Sequence, residues 1–143
     1  MLFRSLLRLP RVRELEIEQR EAAEKVIDFL DLMPYRDSLI VNLPYGIRKV
    51  VEMARALCTQ PKLLLLDEPS SGLSVEETED MAFWIQDIRN VLGITVLMVE
   101  HDMSLVSAVS ERVLALNYGR SIALGTAREV QDHPEVIKAY LGG

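Results

Sequence analysis

The chain has 143 residues, of which 49% are hydrophobic, and it carries a formal net charge of −6 at pH 7. This length and apolar content predict one domain with a buried core rather than a disordered segment. The acidic balance argues against binding to a nucleic-acid duplex, which usually requires clustered Lys and Arg. Arg4 and Arg8 interrupt the apolar start, so neither a signal peptide nor a membrane span is expected there and the chain should stay in the cytosol.

The cysteine content and the charges near the start give two further expectations. Cys58 is the only cysteine, which excludes an internal disulfide framework and any zinc-binding spacing, and it is predicted to be a small core residue on a helix. Four arginines precede a run of glutamates that reverses the charge. This pattern is compatible with contact between this end and a membrane surface, or with a solvated helix face. The arginines are Arg4, Arg8, Arg11 and Arg13.

Two helices are predicted in the first part of the chain. The first covers residues 14–32, where apolar side chains gather on one face after an acidic first half, and Pro34 is expected to end it. Apolar residues at helical spacing from Ile47 to Leu57 predict the second helix. No convincing strand precedes residue 60, so this part is interpreted as a helical subdomain packed on a sheet.

Strands alternate with helices in the rest of the chain. We predict strands at residues 63–67 and 94–99, joined by a helix at 76–91 that Ser74 opens with a capping box. A second capping box begins at Thr126. The other predicted elements are a short helix at 103–110, a hairpin from 112 to 124 that turns at Tyr118-Gly119, and a final helix at Pro134. This alternation predicts an α/β fold with a parallel sheet, flanking helices and an antiparallel hairpin.

Two adjacent carboxylates, Asp67 and Glu68, follow the apolar run from Leu63 to Leu66. Parallel α/β sheets bind ligands at the carboxyl ends of their strands. One acid at such an end can hold Mg²⁺ against phosphate groups, and its neighbour can orient or deprotonate an attacking water. The pattern is typical of nucleotide hydrolysis, although an ordinary core strand followed by an acidic turn explains this run equally well when it is taken alone.

Neighbouring motifs decide between these interpretations because four of them occur in a fixed order. In that order they resemble the C-terminal portion of the ATP-binding subunit of an ABC transporter, which implies a partial P-loop NTPase fold. The tail from Pro134 to Gly142 resembles that of the branched-chain amino acid importer ATPases, so the resemblance covers nearly the whole chain. The four motifs are Leu43-Pro44-Tyr45-Gly46-Ile47, Leu63 to Glu68, Ser70-Ser71-Gly72-Leu73-Ser74, and Glu100-His101-Asp102.

The first motif, residues 43–47, stands where the family has its signature loop. This loop binds the γ-phosphate of a nucleotide held by the opposite subunit, through free N–H groups at a helix start. Pro44 and Ile47 replace the usual serine and glutamine of the family, so phosphate contacts would depend on Gly46 and the backbone after it. A plain helix-entry turn is the alternative for these five residues.

The resemblance also implies roles for the remaining candidates. Asp67 would bind Mg²⁺, and Glu68 would act as general base or water-orienting group. His101 matches the switch histidine, whose imidazole can donate a hydrogen bond to the γ-phosphate. Ser71 and Gly72 lie in the implied D-loop, which touches the facing subunit, with a plain turn as the alternative.

The predicted cofactors are therefore ATP and Mg²⁺. The predicted partners are a second ABC ATPase subunit, in a homo- or heterodimer, and transmembrane permease subunits, with no nucleic acid. The expected location is the cytoplasmic face of the plasma membrane. The domain prediction assigns residues 1–60 to the helical subdomain with the signature loop, 61–125 to the α/β core and 126–143 to a C-terminal helical extension.

The 143 residues contain no Gly-x-x-x-x-Gly-Lys-Ser/Thr phosphate loop. The chain is therefore expected to begin inside the helical subdomain, to be inactive alone, and to expose an apolar sheet edge that makes it poorly soluble or leads it to a partner. The leading prediction is the C-terminal part of an ATPase subunit that couples ATP binding and hydrolysis to import of branched-chain or similar amino acids. The alternative is a non-catalytic cassette fragment that binds or regulates an intact ABC ATPase.

Overall fold

The computed structural model describes residues 10–141, which divide into two compact units, one ending at Leu64 and the other starting at Leu65. Arg4 and Arg8, on which the proposed membrane contact partly depends, lie outside the described residues. Within the described range, none of the helices combines the length and the apolar character that crossing a bilayer requires.

The described part of the first unit begins with helix α1, Pro10–Phe29, whose end differs from the prediction. Asp31 has a φ of 52°, in the left-handed region, and the Leu32 N–H donates to the Ile27 carbonyl at 2.8 Å. A left-handed residue followed by this bond closes a helix at its C-terminus. The expectation that Pro34 ends the helix is therefore wrong, because α1 has already ended and Pro34 lies in the short 3-10 turn that follows it.

Helix α2, Tyr45–Leu57, confirms the second predicted helix and begins two residues earlier than expected. Its buried side chains recur at helical spacing along one face, and α1 is in contact with α2. Cys58 directly follows the last buried position, Leu57, and is exposed. The prediction that Cys58 is a core residue is therefore wrong, because the helix ends one residue before it.

Two strands form the predicted parallel sheet. Strand β1 spans Leu63–Asp67 and pairs with β2, Thr95–Val99. The Glu68 N–H, just past the end of β1, donates to the Val99 carbonyl at the end of β2 at 2.9 Å. The carboxyl ends of the two strands therefore lie side by side, as a parallel pair requires.

Helix α3, Val75–Asn90, connects the two strands. The Ser74 hydroxyl accepts from the Glu77 N–H at 3.2 Å, while the Glu77 carboxylate accepts from the Ser74 N–H at 2.8 Å. This reciprocal pair confirms the predicted capping box. The buried face of α3 consists mainly of large apolar side chains, Met81, Ile85 and Ile88.

The remaining elements confirm the predicted C-terminal hairpin. Helix α4 spans Met103–Val109, and strands β3 (Val113–Asn117) and β4 (Arg120–Gly125) pair antiparallel. Tyr118 and Gly119 join them with φ values of 47° and 75°, as a two-residue turn with both central residues left-handed requires. Helices α5 (Ala127–Gln131) and α6 (Pro134–Val136) follow, and the chain continues as a wider helical turn at Ile137–Leu141.

One face of the β1–β2 pair carries large apolar side chains that are open to solvent. Leu65 is 66% exposed, Leu97 60% and Val99 62%. Side chains alternate across a strand, so these residues share the face opposite Leu64, which is 3% exposed. Exposed apolar area of this kind favours association with another surface.

Candidate functional site

The end of β1 holds its two carboxylates in different backbone conformations. Asp67 is the last strand residue and is exposed. Glu68 has a φ of 46°, although it is neither glycine nor asparagine. A left-handed conformation costs such a residue about 1–2 kcal/mol, and strain of this kind is common at functional sites. The bond from its N–H to Val99 holds this conformation in place.

A compact turn follows Glu68. The Ser71 N–H donates to the Glu68 carbonyl at 3.1 Å, and the Leu73 N–H donates to the Ser70 carbonyl at 3.0 Å. Gly72 has a φ of 78°, which a residue with a Cβ would adopt only with strain. The turn therefore places Ser71 and Gly72 directly after the carboxylates and before α3.

The end of β2 brings His101 to Glu68. The Nδ1 atom of His101 lies 3.5 Å from Oε1 of Glu68, and the two side chains are 70% and 52% exposed. An imidazole and a carboxylate this close, both open to solvent, can together hold a water molecule or a phosphate oxygen. The structure thus brings together two residues that the sequence predicts as catalytic and that lie 33 positions apart, at 68 and 101.

The Glu100 carboxylate lies behind this pair and has no solvent exposure. Its Oε1 accepts from the Ser70 N–H at 2.8 Å and from the Ser70 hydroxyl at 2.6 Å. Its Oε2 accepts from the N–H groups of His101 and Asp102 at 2.9 and 3.1 Å. Burial raises the pKa of this carboxyl, but the bonds from Ser70, Asp102 and His101 outweigh it and hold the pKa below the ordinary 4.5.

The loop after β2 is also anchored at its other end. The Asp102 side chain accepts from the N–H groups of Ser104 and Leu105 at 2.8 and 3.3 Å, and it therefore caps α4. His101 stands between the Glu100 carboxylate and this cap. Its backbone is consequently held on both sides while its imidazole remains open to solvent.

The predicted signature residues belong to the first unit, at the start of α2. Leu43 and Gly46 are buried, Pro44 and Tyr45 are exposed, and Ile47 is half-buried. Pro44 occupies the cap position, and within residues 10–141 no side chain caps this helix start. The charged ends of Arg48 and Lys49 lie 5.5 and 5.9 Å from the Tyr45 ring centroid. A helix N-terminus with two adjacent cations favours an anion.

The single carboxylate of Asp67 fits a magnesium ion that phosphate oxygens also coordinate. Among the residues that the structure describes, no cluster of three or more His, Cys, Asp or Glu side chains could hold a metal ion. Mg²⁺ is usually bound through one or two carboxylates together with waters and substrate phosphates. One exposed carboxylate at a strand end is therefore compatible with Mg²⁺ that a nucleotide brings, and not with a metal cage made by the protein alone.

Comparisons with known proteins extend over nearly all of the chain. Residues 1–71 match the family model described as ABC transporter, and residues 120–143 match the model described as branched-chain amino acid ATP-binding cassette transporter. The chain is 38% identical over 141 residues to the high-affinity branched-chain amino acid transport ATP-binding protein LivG of Salmonella typhimurium. The chain belongs to the ATP-binding subunits of ABC transporters. The match to LivG covers 99% of the chain and 55% of LivG.

A second curated relative and two solved ATP-binding cassettes give the same result. BraF of Pseudomonas aeruginosa, also a high-affinity branched-chain amino acid transport ATP-binding protein, is 38% identical over 96% of the chain and 54% of BraF. The ADP conformation of an ATP-binding cassette of an ABC transporter superposes with a TM-score of 0.81 at 31% identity, over 88% of this chain and 51% of that one. A nucleotide-free ATP-binding cassette gives 0.80 at 30% identity, over the same 88% and 51%.

These matches confirm the predicted fold, a partial ABC ATPase fold with a parallel sheet and flanking helices. The chain spans about half the length of the curated relatives that it matches.

Sequence reasoning missed two residues of the candidate site. Glu100 and Ser70 stood inside predicted motifs but were given no role of their own. Their bond joins positions 30 residues apart, and only the folded chain shows it. The sequence did contain one signal for Glu100. It is an acid at the end of an apolar strand and next to His101, a position at which a side chain can be buried.

Proposed function

We propose that this chain is the part of an ABC transporter ATP-binding subunit that carries the water-activating carboxylate. The whole subunit would couple ATP binding and hydrolysis to the import of branched-chain or similar amino acids. The observation that carries the proposal is the approach of His101 Nδ1 to within 3.5 Å of Glu68 Oε1, directly after the exposed Asp67. The names of LivG and BraF, which specify branched-chain amino acid transport, support the class of solute.

In the proposed reaction, Glu68 orients the attacking water and accepts its proton. His101 donates a hydrogen bond to the γ-phosphate and holds the water against Glu68. Asp67 would hold Mg²⁺, which when bound neutralises charge on the phosphate oxygens. The left-handed Glu68 backbone supports this assignment, because strain at a polar residue beside an open surface is typical of a functional position.

The proposed partners are those expected of an ATP-binding subunit. Ser71 and Gly72 would contact a second ATPase subunit, and residues 43–47 would bind the γ-phosphate of the nucleotide held there. The uncapped start of α2, with Arg48 and Lys49 beside it, supports that anion-binding role. Transmembrane permease subunits would hold the assembly at the cytoplasmic face of the membrane.

The test begins with the native product in its source cell. An antibody against residues 137–143 captures the material that contains this chain, and its intact mass, its Mg²⁺-dependent ATP hydrolysis and the proteins captured with it are measured. We expect ATP hydrolysis together with co-captured permease subunits. A 16.2 kDa product without ATPase activity that changes the turnover of an added intact cassette would instead support the non-catalytic alternative.

Transport is tested separately. Deletion of the gene should lower the uptake of radiolabelled leucine and leave the uptake of proline unchanged as a control. Unchanged leucine uptake, in cells where the captured material hydrolyses ATP, would remove the proposed solute class and leave the ATPase assignment standing.

A further inference from the structure

The Glu100 side chain joins two loops with one carboxylate. Oε1 takes both of its hydrogen bonds from Ser70, in the turn after β1, and Oε2 takes both of its bonds from His101 and Asp102, in the loop after β2. The four distances lie between 2.6 and 3.1 Å, and the carboxylate has no solvent exposure. Each oxygen is therefore saturated, and each serves a different loop.

A second contact closes this link into a ring. The Glu68 N–H is bonded to the Val99 carbonyl, so residues 68–70 lie along residues 99–100 and are fastened at both ends. Ser70 itself is only 7% exposed. Because the ring contains only five residues, a displacement of Ser70 must either break the bonds to Glu100 or move the Glu100 loop with it.

The ring lies between two groups with proposed functions. Ser71 and Gly72 continue from Ser70, and the Ser71 N–H is bonded to the Glu68 carbonyl. His101 continues from Glu100, and its backbone N–H is held by the same carboxylate. The path from the turn to the His101 backbone is therefore short and polar, and it runs through one side chain, the buried Glu100 carboxylate.

We propose that Glu100 is a positioning residue that connects the turn at residues 69–72 to His101. Through this connection, a second subunit in contact with Ser71 and Gly72 sets the separation between the His101 imidazole and the Glu68 carboxylate. This inference rests on the proposed function for its catalytic consequence, but the mechanical link stands on the hydrogen bonds alone. The Asp102 cap on α4 fixes the far side of the His101 loop, so movement of the turn is directed to His101.

Three variants test the link: Glu100→Gln, Ser70→Ala and Ser70→Thr. Glu100→Gln replaces one acceptor oxygen with a donor, and Ser70→Ala removes only the hydroxyl bond. Ser70→Thr keeps the hydroxyl and is the rescue variant. Glu79→Gln and Ser121→Ala make the same chemical changes at exposed positions outside the site.

The first measurement requires no catalysis. Amide hydrogen exchange and imidazole resonances of His101 are recorded by NMR in the native polypeptide. We expect Ser70→Ala, a change in the other loop, to speed exchange of the His101 and Asp102 amides by about tenfold, the effect of one lost hydrogen bond of ordinary strength. Ser70→Thr should restore slow exchange. Unchanged His101 signals in both Ser70→Ala and Glu100→Gln would overturn the proposal, whether or not the protein hydrolyses ATP.

The second measurement separates positioning from general stability. We expect Ser70→Ala and Glu100→Gln to lower kcat for ATP by about tenfold or more with little change in KM, because a misplaced imidazole affects the reacting geometry and not nucleotide binding. Ser70→Thr should recover kcat. Altered His101 signals with an unchanged kcat would overturn the positioning role. Absence of ATPase activity in the unmodified protein would refute the proposed function and leave the link to be judged by NMR.

Discussion

Replacement of Glu100 by alanine should cause a loss of stability that can be worked out from the hydrogen bonds of its carboxylate. The substitution removes the acceptor of four hydrogen bonds and leaves their donors in place. Three of these bonds are part-buried, those from the Ser70 N–H, the Ser70 hydroxyl and the Asp102 N–H. The fourth, from the His101 N–H, is exposed, so water can replace the lost acceptor there.

The expected loss of stability follows from these three donors. A buried donor that loses its acceptor destabilises a protein by about 1–3 kcal/mol. Water can enter part of the vacated space, so we assign about 1 kcal/mol to each part-buried donor, which gives a loss of about 3 kcal/mol in the free energy of unfolding. Glu100→Gln keeps one oxygen and should lose about half as much.

Urea denaturation followed by circular dichroism measures this loss in the native polypeptide. Glu79→Ala, on the exposed face of α3, is the matched control and should change the free energy of unfolding by less than about 0.5 kcal/mol. A loss below about 1 kcal/mol for Glu100→Ala would mean that solvent replaces the four bonds with little loss of stability, and that Glu100 does not stabilise the fold as expected.

The same carboxylate makes stability depend on pH in a defined direction. The pKa of Glu100 is lower in the folded protein than its ordinary 4.5, because the bonds from Ser70, Asp102 and His101 outweigh the opposing effect of burial. Its contribution is therefore fully present above pH 4.5 and is lost as the pH falls below that value towards the folded pKa. Wild type and Glu100→Gln differ only at residue 100, so the difference between their free energies of unfolding isolates this group. That difference should shrink below pH 4.5, and a constant difference would contradict the assignment.

Three further predictions concern local structure and surface. Ser74→Ala removes the α3 cap and should lower the free energy of unfolding by about 1 kcal/mol, and an unchanged urea midpoint would contradict it. In the hairpin turn, Gly119→Ala should lower the free energy of unfolding by about 1–2 kcal/mol through its left-handed φ alone, since nothing lies within 4 Å of an added Cβ. Tyr118→Asn should raise the urea midpoint, because Asn adopts the left-handed region more readily than Tyr. Changes of the opposite sign would refute the turn assignment. Leu65→Thr with Leu97→Thr should reduce binding of a hydrophobic dye to the 143-residue chain, and unchanged binding would show that the exposed sheet face is covered in solution.

The sequence predicted those parts of the fold that local chemistry determines. The bounds of β1 were predicted correctly because an apolar run is followed directly by Asp67 and Glu68. The α3 capping box and the Tyr118-Gly119 turn also depend on neighbouring residues, and the structure confirms both. The end of α1 was predicted wrongly because proline is the stronger signal in the sequence, whereas a left-handed Asp31 ends the helix first.

The contacts within the candidate site could not be predicted from the sequence. Glu68 and His101 were singled out by their motifs, but their approach to 3.5 Å required the strand pairing. Glu100 could not be distinguished from a solvent-exposed acid, because its four donors come from two loops that only the folded chain brings together. The left-handed φ of Glu68 could not be predicted either, since glutamate has no preference for that region.

ATP turnover of the native, antibody-captured subunit that carries Glu68→Gln decides whether Glu68 is the group that activates water. The substitution keeps the size of the side chain and one acceptor oxygen but removes its ability to accept a proton from water. We predict unchanged ATP binding with turnover lowered by about 100-fold or more, and wild-type turnover in the exposed control Glu79→Gln. Turnover of Glu68→Gln equal to that of the wild type would show that Glu68 is not the group that activates water.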